Sequence, residues 1–350
     1  MAQITYTGVG IKAMAACVPP KKIFNKDLGY LIPEEEIEKT IDSIGIKEKR
    51  FAESNVCASD LCFKAAEKLL EDNHIDRNSI DILLFLSQTP DYKIPATAPL
   101  LQNRLGLAQT TACIDLSLGC SGYVYGLSIA FAYASMQGIN RVLFLDGETF
   151  SKITSPYDKV NVPLYGDAGT ATLIEKGDFG NAYFELMSDG AGANTVMISA
   201  GECRNPTNEN NIKTEEKEDG NRRSDHDIFM DGMEVFNFAL RVVPKSVKNI
   251  VQYLNKDLND IDYLIFHQAN RFMTDFFVKK LKFDTTKVPY CLDRFGNTSS
   301  ASVPLTIVSE LEDKLIDRKQ VILCGFGAGL SWGTAYMTFK ECRISHLFDY

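Results

Sequence analysis

Apolar residues fall into two kinds of run along this chain. Short, nearly continuous runs read as buried strands: Asp81-Ile-Leu-Leu-Phe-Leu86, Arg141-Val-Leu-Phe-Leu-Asp-Gly147, Asp262-Tyr-Leu-Ile-Phe266 and Gln320-Val-Ile-Leu-Cys-Gly325. Between them stand segments of helical length, the most apolar from Gly122 to Met136 and another from about Ser300 to Leu315. Strands alternating with helices predict an α/β fold. Cys113-Ile-Asp-Leu116 leads into a glycine-containing turn before the first of these helices, and Cys291-Leu-Asp293 leads into another before the second.

These landmarks recur. Asp81 and Asp262, Cys120 and Asn297, and Arg141 and Gln320 all stand about 180 residues apart, too long a period for a solenoid. The spacing predicts a duplicated α/β unit, with halves 1–180 and 181–350 packed together. Ligands of open α/β sheets collect where strands end and helices begin, so Cys120 and Asn297 are expected in equivalent turns facing one cleft. The stretch 204–227 is rich in Asn, Glu, Lys and Asp, with Ile212 its only large aliphatic residue. Too little of it can be buried to order it, and it is expected to be a mobile surface loop.

Composition narrows the classes. Hydrophobic residues make up 45% and charged residues 24% of the 350, and the net charge is −9. That is ordinary globular composition, and its sign argues against nucleic acid or an anionic membrane as partner. The nine cysteines include no C-x-x-C pair, and the four histidines form no HExxH, so neither a disulfide framework nor a metal site is expected. The glycine-rich Gly325-Phe-Gly-Ala-Gly-Leu330 lacks the third glycine of a dinucleotide fingerprint, and no bound cofactor is expected. Without a signal-peptide pattern or a spanning stretch, the expected location is the cytoplasm.

Four features carry candidate chemistry. Cys120 lies between a strand and a helix, flanked by Gly119 and Gly122, where the helix N-terminus is expected to lower the thiol pKa; the bland alternative is a small buried hydrophobe. His267 opens His-Gln-Ala-Asn270 directly after a strand, and a lone histidine there is otherwise a satisfied core or surface residue. Asn297, in Gly296-Asn-Thr-Ser-Ser300, is either a functional amide or a simple helix cap. The turn Phe326 to Gly329 can bring backbone N–H groups to a developing oxyanion. Together they make a coherent acyl-transfer site.

From about Ile4 to Phe339 the chain resembles the thiolase superfamily, and within it the β-ketoacyl-acyl carrier protein synthase III family. The matching motifs are Leu118-Gly-Cys-Ser-Gly122, Tyr165-Gly-Asp-Ala-Gly169, Met230-Asp-Gly-Met-Glu-Val-Phe236, His267-Gln-Ala-Asn270, Gly296-Asn-Thr-Ser-Ser-Ala-Ser302 and Gly325-Phe-Gly-Ala-Gly-Leu-Ser-Trp-Gly333. The resemblance implies a five-layered αβαβα sandwich and a homodimer. It implies a catalytic triad of Cys120, His267 and Asn297, with the N–H groups of Cys120 and Ala328 as oxyanion donors. Asn270 and Phe326 are expected to contact substrate. The implied reaction is a decarboxylative Claisen condensation of an acyl-cysteine with a malonyl thioester, with acyl carrier protein as partner. The alternative is an acyltransferase that passes the acyl group to an oxygen or nitrogen nucleophile.

The chain departs from the family at the coenzyme A site. Lys39 and Ser43 stand where the family has the tryptophan and arginine that sandwich adenine, and Lys159 replaces a further arginine. The resemblance therefore points to a donor carried on acyl carrier protein. Carrier docking is expected near basic residues around the cleft mouth, with Arg271, Arg241 and Lys245 as candidates. Ile94 stands where the family carries a residue that closes the partner's acyl pocket; a longer or differently shaped pocket is expected from it.

Overall fold

In a strand packed on both faces, alternate residues face different cores, and this chain uses that twice. The computed structural model describes residues 2–350. The strands that matter are β1 (Ala2–Val18), β2 (Ile82–Leu86), β3 (Ala112–Leu116), β4 (Arg141–Thr149), β5 (Asp167–Ser188), β6 (Tyr263–Phe266), β7 (Lys319–Gly327) and β8 (Ser331–Phe339). The helices are α1 (Glu34–Ile44), α2 (Ala58–Asp72), α3 (Thr97–Arg104), α4 (Gly122–Ser135), α5 (Gly232–Tyr253), α6 (Arg271–Leu281), α7 (Leu292–Phe295) and α8 (Ser302–Glu310).

The sheet runs β6-β7-β8-β5-β4-β2-β3, with β1 antiparallel along the length of β5. In β2, Ile82, Leu84 and Leu86 face the central core while Leu83 and Phe85 face α2 and α3. In β7, Val321 and Leu323 face the same central core while Ile322 and Cys324 face α5 and α6. The central core is filled by α4 and by Val303, Leu305, Ile307 and Val308 of α8. The layers are thus helix, sheet, helix, sheet, helix: the thiolase-like αβαβα sandwich. The two sheets are continuous through the long strands β1 and β5.

The paired landmarks do the same work in both places. β2 runs parallel to β4 and β6 parallel to β7. Asp81 Oδ2 accepts the N–H groups of Asn140 and Arg141 at the start of β4, and Asp262 Oδ2 accepts the N–H of Gln320 at the start of β7. The correspondence fails at one point. Cys113–Leu116 belongs to strand β3, whereas Cys291 precedes the four-residue α7.

The segment 204–227 is organised by polar contacts rather than apolar burial. Ser155 Oγ donates to the Arg222 carbonyl, the Lys159 N–H donates to Asn221 Oδ1, and Arg223 pairs with Asp219. No helix among the described residues is long and apolar enough to cross a membrane.

Candidate active site

Parallel strands end together, and here their ends carry the polar groups. Cys120 follows β3, His267 follows β6, and Phe326 and Ala328 lie at the end of β7. With Asn297 they line one cavity of about 280 Å³, whose wall also includes Gln88, Phe150, Tyr165, Val196, Met230 and Asn270.

Cys120 is placed by packing. Its turn runs into α4, which is buried on most sides, and β7 passes directly beneath it. A Cβ on Gly327 would stand 2.8 Å from Cys120 Cβ and 3.1 Å from its Sγ, so only glycine permits this approach. Among the described residues, the one side-chain hydrogen-bond partner of the sulfur is the Ser299 hydroxyl, at 3.6 Å. Burial pushes the thiol pKa up to about 12, eased by Ser299 and reinforced by the carboxyls of Glu148 and Asp146. This corrects the expectation of a thiol lowered by the following helix: loss of solvation outweighs the helix terminus.

Asn297 is placed by hydrogen bonds. Its N–H donates to the Leu164 carbonyl, its own carbonyl accepts the Gly166 N–H, and the turn begins at Gly296 with φ +67°. Its Oδ1 accepts the Ser299 N–H at 2.9 Å, which leaves the Nδ2 donor for the cavity.

His267 is 1% exposed, and burial lowers its pKa to about 3. At neutral pH the imidazole is therefore uncharged. Its Nδ1 lies 2.7 Å from Ser302 Oγ, and its ring meets the Phe326 edge at 5.2 Å between centroids. Thus Phe326 supports His267 as well as lining the cavity. Among the described residues, the N–H groups of Cys120 and Ala328 donate to no other backbone carbonyl. Both residues stand on the cavity wall.

The other expected residues divide. Asn270 lines the cavity, with its Oδ1 capping α6 through the Met273 N–H. Ile94 is 89% exposed and lines no part of the cavity of its own chain. Arg271 stands next to Asn270, pairs with Asp275 and lies over the Tyr290 ring at 3.9 Å. Arg241 and Lys245 instead line a separate cavity with Met187 and Trp332, which corrects their expected place at the cleft mouth. Helical spacing alone does not say which way a charged face points. The mouth is formed by Thr40 and Ile44 of α1 with Lys159 and Val160.

Sequence reasoning passed over Gln88, Phe150, Ser299 and Ser302 as individual residues. Gln88 stands two residues past β2 and obeys the strand-end rule that found His267. Its N–H is held by Glu148, a buried carboxylate that also accepts the hydroxyls of Ser87, Thr89 and Ser300. Burial raises the Glu148 pKa to about 7.

Comparison with known proteins gives one answer. The family described as 3-oxoacyl-[acyl-carrier-protein (ACP)] synthase III matches residues 114–190, and its C-terminal part matches 252–339. A β-ketoacyl-[acyl-carrier-protein] synthase III of Desulfitobacterium hafniense is 32% identical over 336 residues, covering 95% of this chain and 98% of the relative. The solved 3-oxoacyl-(acyl-carrier protein) synthase of Burkholderia xenovorans superposes with a TM-score of 0.92 at 35% identity, covering 99% of both chains. The Thermus thermophilus β-ketoacyl-[acyl-carrier-protein] synthase III superposes at 0.83 and 32% identity, covering 95% of this chain and 99% of that one. With the fold, the site and these full-length matches in agreement, the chain belongs to the β-ketoacyl-acyl carrier protein synthase III family of thiolase-like condensing enzymes.

Proposed function

We propose that Cys120, His267 and Asn297 form the catalytic triad of a decarboxylative condensation. The observation that carries this reading is their meeting with the Gly327–Ala328 backbone on one cavity. Cys120 takes an acyl group from a thioester donor, which splits the reaction into two easier steps. A malonyl thioester then binds and loses CO2. Asn297 Nδ2 and His267 Nε2 stabilise the enolate oxygen while its carbon attacks the acyl-cysteine. The N–H groups of Cys120 and Ala328 receive the oxyanion of each tetrahedral intermediate, and such donors are typically worth on the order of 10²–10³ in rate each.

The donor and the malonyl group are read as carried on acyl carrier protein. The mouth offers Thr40, Ile44, Val160 and the single cation Lys159, and no aromatic plane from α1 on which adenine could stack. Arg271 is the remaining docking candidate for the carrier. The protein is read as a cytoplasmic homodimer of chains with halves 1–180 and 181–350. The dimer reading is supported by β3, which has one sheet neighbour, and by the outward-facing Tyr92 and Ile94. In that dimer Ile94 closes the partner's acyl pocket.

The competing chemistry, simple acyl transfer, uses the same nucleophile but releases no CO2. Acylated enzyme is mixed with malonyl-carrier protein labelled in its free carboxyl. Labelled CO2 in step with β-ketoacyl product is expected. Acyl-enzyme that discharges without CO2 would replace condensation by transfer.

A further inference from the structure

Three buried groups converge on the Ser302 hydroxyl. Its Oγ lies 2.7 Å from His267 Nδ1, 2.8 Å from the Ser299 carbonyl oxygen and 3.3 Å from the Gln268 nitrogen. Ser299, Ser302, His267 and Gln268 are all at most 1% exposed, so water does not compete. A serine hydroxyl has one proton to give and two lone pairs to offer. The Gln268 N–H can only donate, and it takes one lone pair. The Ser299 oxygen can only accept. It already receives the Ser302 N–H, and its second lone pair faces Oγ and is also within reach of the His267 ring.

Two arrangements remain. If the hydroxyl proton goes to the Ser299 oxygen, His267 Nδ1–H donates to Oγ and both short contacts are hydrogen bonds. If the proton turns to a bare Nδ1, the contact with Ser299 loses its bond. The first arrangement keeps one more buried hydrogen bond, a preference on the order of tenfold. We propose that Ser302 is a positioning residue that fixes His267 as the Nδ1–H tautomer, so that its Nε2 meets the Cys120 thiol as a proton acceptor.

This rests on the triad reading above and says how one histidine, neutral at rest, accepts and returns a proton in both half-reactions. In acylation the Cys120 S–H bond breaks as Sγ attacks the thioester carbonyl carbon, and the proton moves to Nε2. When the tetrahedral intermediate collapses, the carbon–sulfur bond to the donor breaks and the departing thiolate takes that proton. The condensation consumes one proton overall. Solvent supplies it to Nε2; the imidazolium so formed donates it in a hydrogen bond to the enolate oxygen and hands it to the Cys120 thiolate as that group leaves. Throughout, Nδ1–H stays on Ser302, so the ring does not turn.

The test is the ring-nitrogen NMR spectrum of protein labelled with 15N in histidine. Protonated and bare imidazole nitrogens are widely separated in shift, and the His267→Gln spectrum identifies the resonances among the four histidines. In the wild type at pH 7.5, Nδ1 is expected protonated and Nε2 bare. Ser302→Ala is expected to shift His267 towards the Nε2–H form and to slow acylation of Cys120, read by intact mass, about tenfold. Ser302→Thr is expected to restore both. A wild-type His267 protonated at Nε2 overturns the proposal without any variant, and so does an unchanged tautomer in folded Ser302→Ala. Nδ1–H in a wild type whose Cys120 never takes an acyl group overturns the triad reading instead, because the spectrum does not depend on turnover.

Discussion

The turns carrying Cys120 and Asn297 face the same cavity from sequence positions about 180 apart, and they are held by different forces. Cys120 follows a strand, runs into the buried α4 and is fixed by the close passage of Gly327, with a single weak contact to its sulfur. Asn297 follows no strand. The short α7 stops at Gly296, and the asparagine is tied by backbone and side-chain hydrogen bonds to Leu164, Gly166 and Ser299. A nucleophile must form and break a covalent bond, so it is confined by shape while its sulfur stays unbonded. A donor must point one way before charge develops, so its acceptor oxygen is occupied and its N–H group is left.

The largest expected effect breaks the first turn. Cys120→Ala should remove the acyl mass from intact protein altogether, whereas acyl mass found on Cys113 or Cys324 would move the nucleophile elsewhere. Next comes the second turn. Asn297→Ala should still acylate but lose about 10²–10³ in condensation rate, the usual worth of one preorganised donor. His267→Ala should lose condensation to at least the same degree and acylate more slowly. A variant that lost acylation alone would reverse the division of labour between the turns.

A smaller effect sharpens the electrostatic side. With its pKa pushed to about 12, the thiol of Cys120 is almost wholly protonated at neutral pH. The reactive thiolate grows as pH rises toward that value. In His267→Ala, where no base is left, iodoacetamide labelling of Cys120 should climb about tenfold per pH unit from 7 to 9. A plateau by pH 8 would mean that the helix terminus, not burial, governs the sulfur. The smallest effect is at Ile94. Each buried methylene of an acyl chain is worth about 0.8 kcal/mol, so Ile94→Phe should shift donor preference towards short chains by a few-fold per carbon. Identical chain-length rankings for both proteins would take Ile94 out of the pocket.

Much of this was legible in the chain. The runs at Ile82–Leu86, Arg141–Gly147, Tyr263–Phe266 and Gln320–Gly325 are strands because continuous apolar residues can be buried on both faces only between layers of helices. The strand-end rule pointed to His267 and the glycine-rich turn, and the repeated spacing paired Cys120 with Asn297. The same rule applied to Gln88, but a lone amide carries no pattern to mark it. Arg241 and Lys245 show the opposite failure. Their spacing was plain, but the face they occupy belongs to another cavity.

Local order thus determined which elements form and which residues end strands, because both follow from neighbours in sequence. The state of the site's groups was decided only in three dimensions. The Cys120 turn looks like one that lowers a thiol pKa until β7 packs against it and the carboxyls of Glu148 and Asp146 add their negative field. His267 looks like an ordinary titrating histidine until Phe326 covers its ring and Ser302 takes its Nδ1. Solvation and hydrogen-bond partners come from residues 26 to 207 positions away, and no short window along the chain contains them.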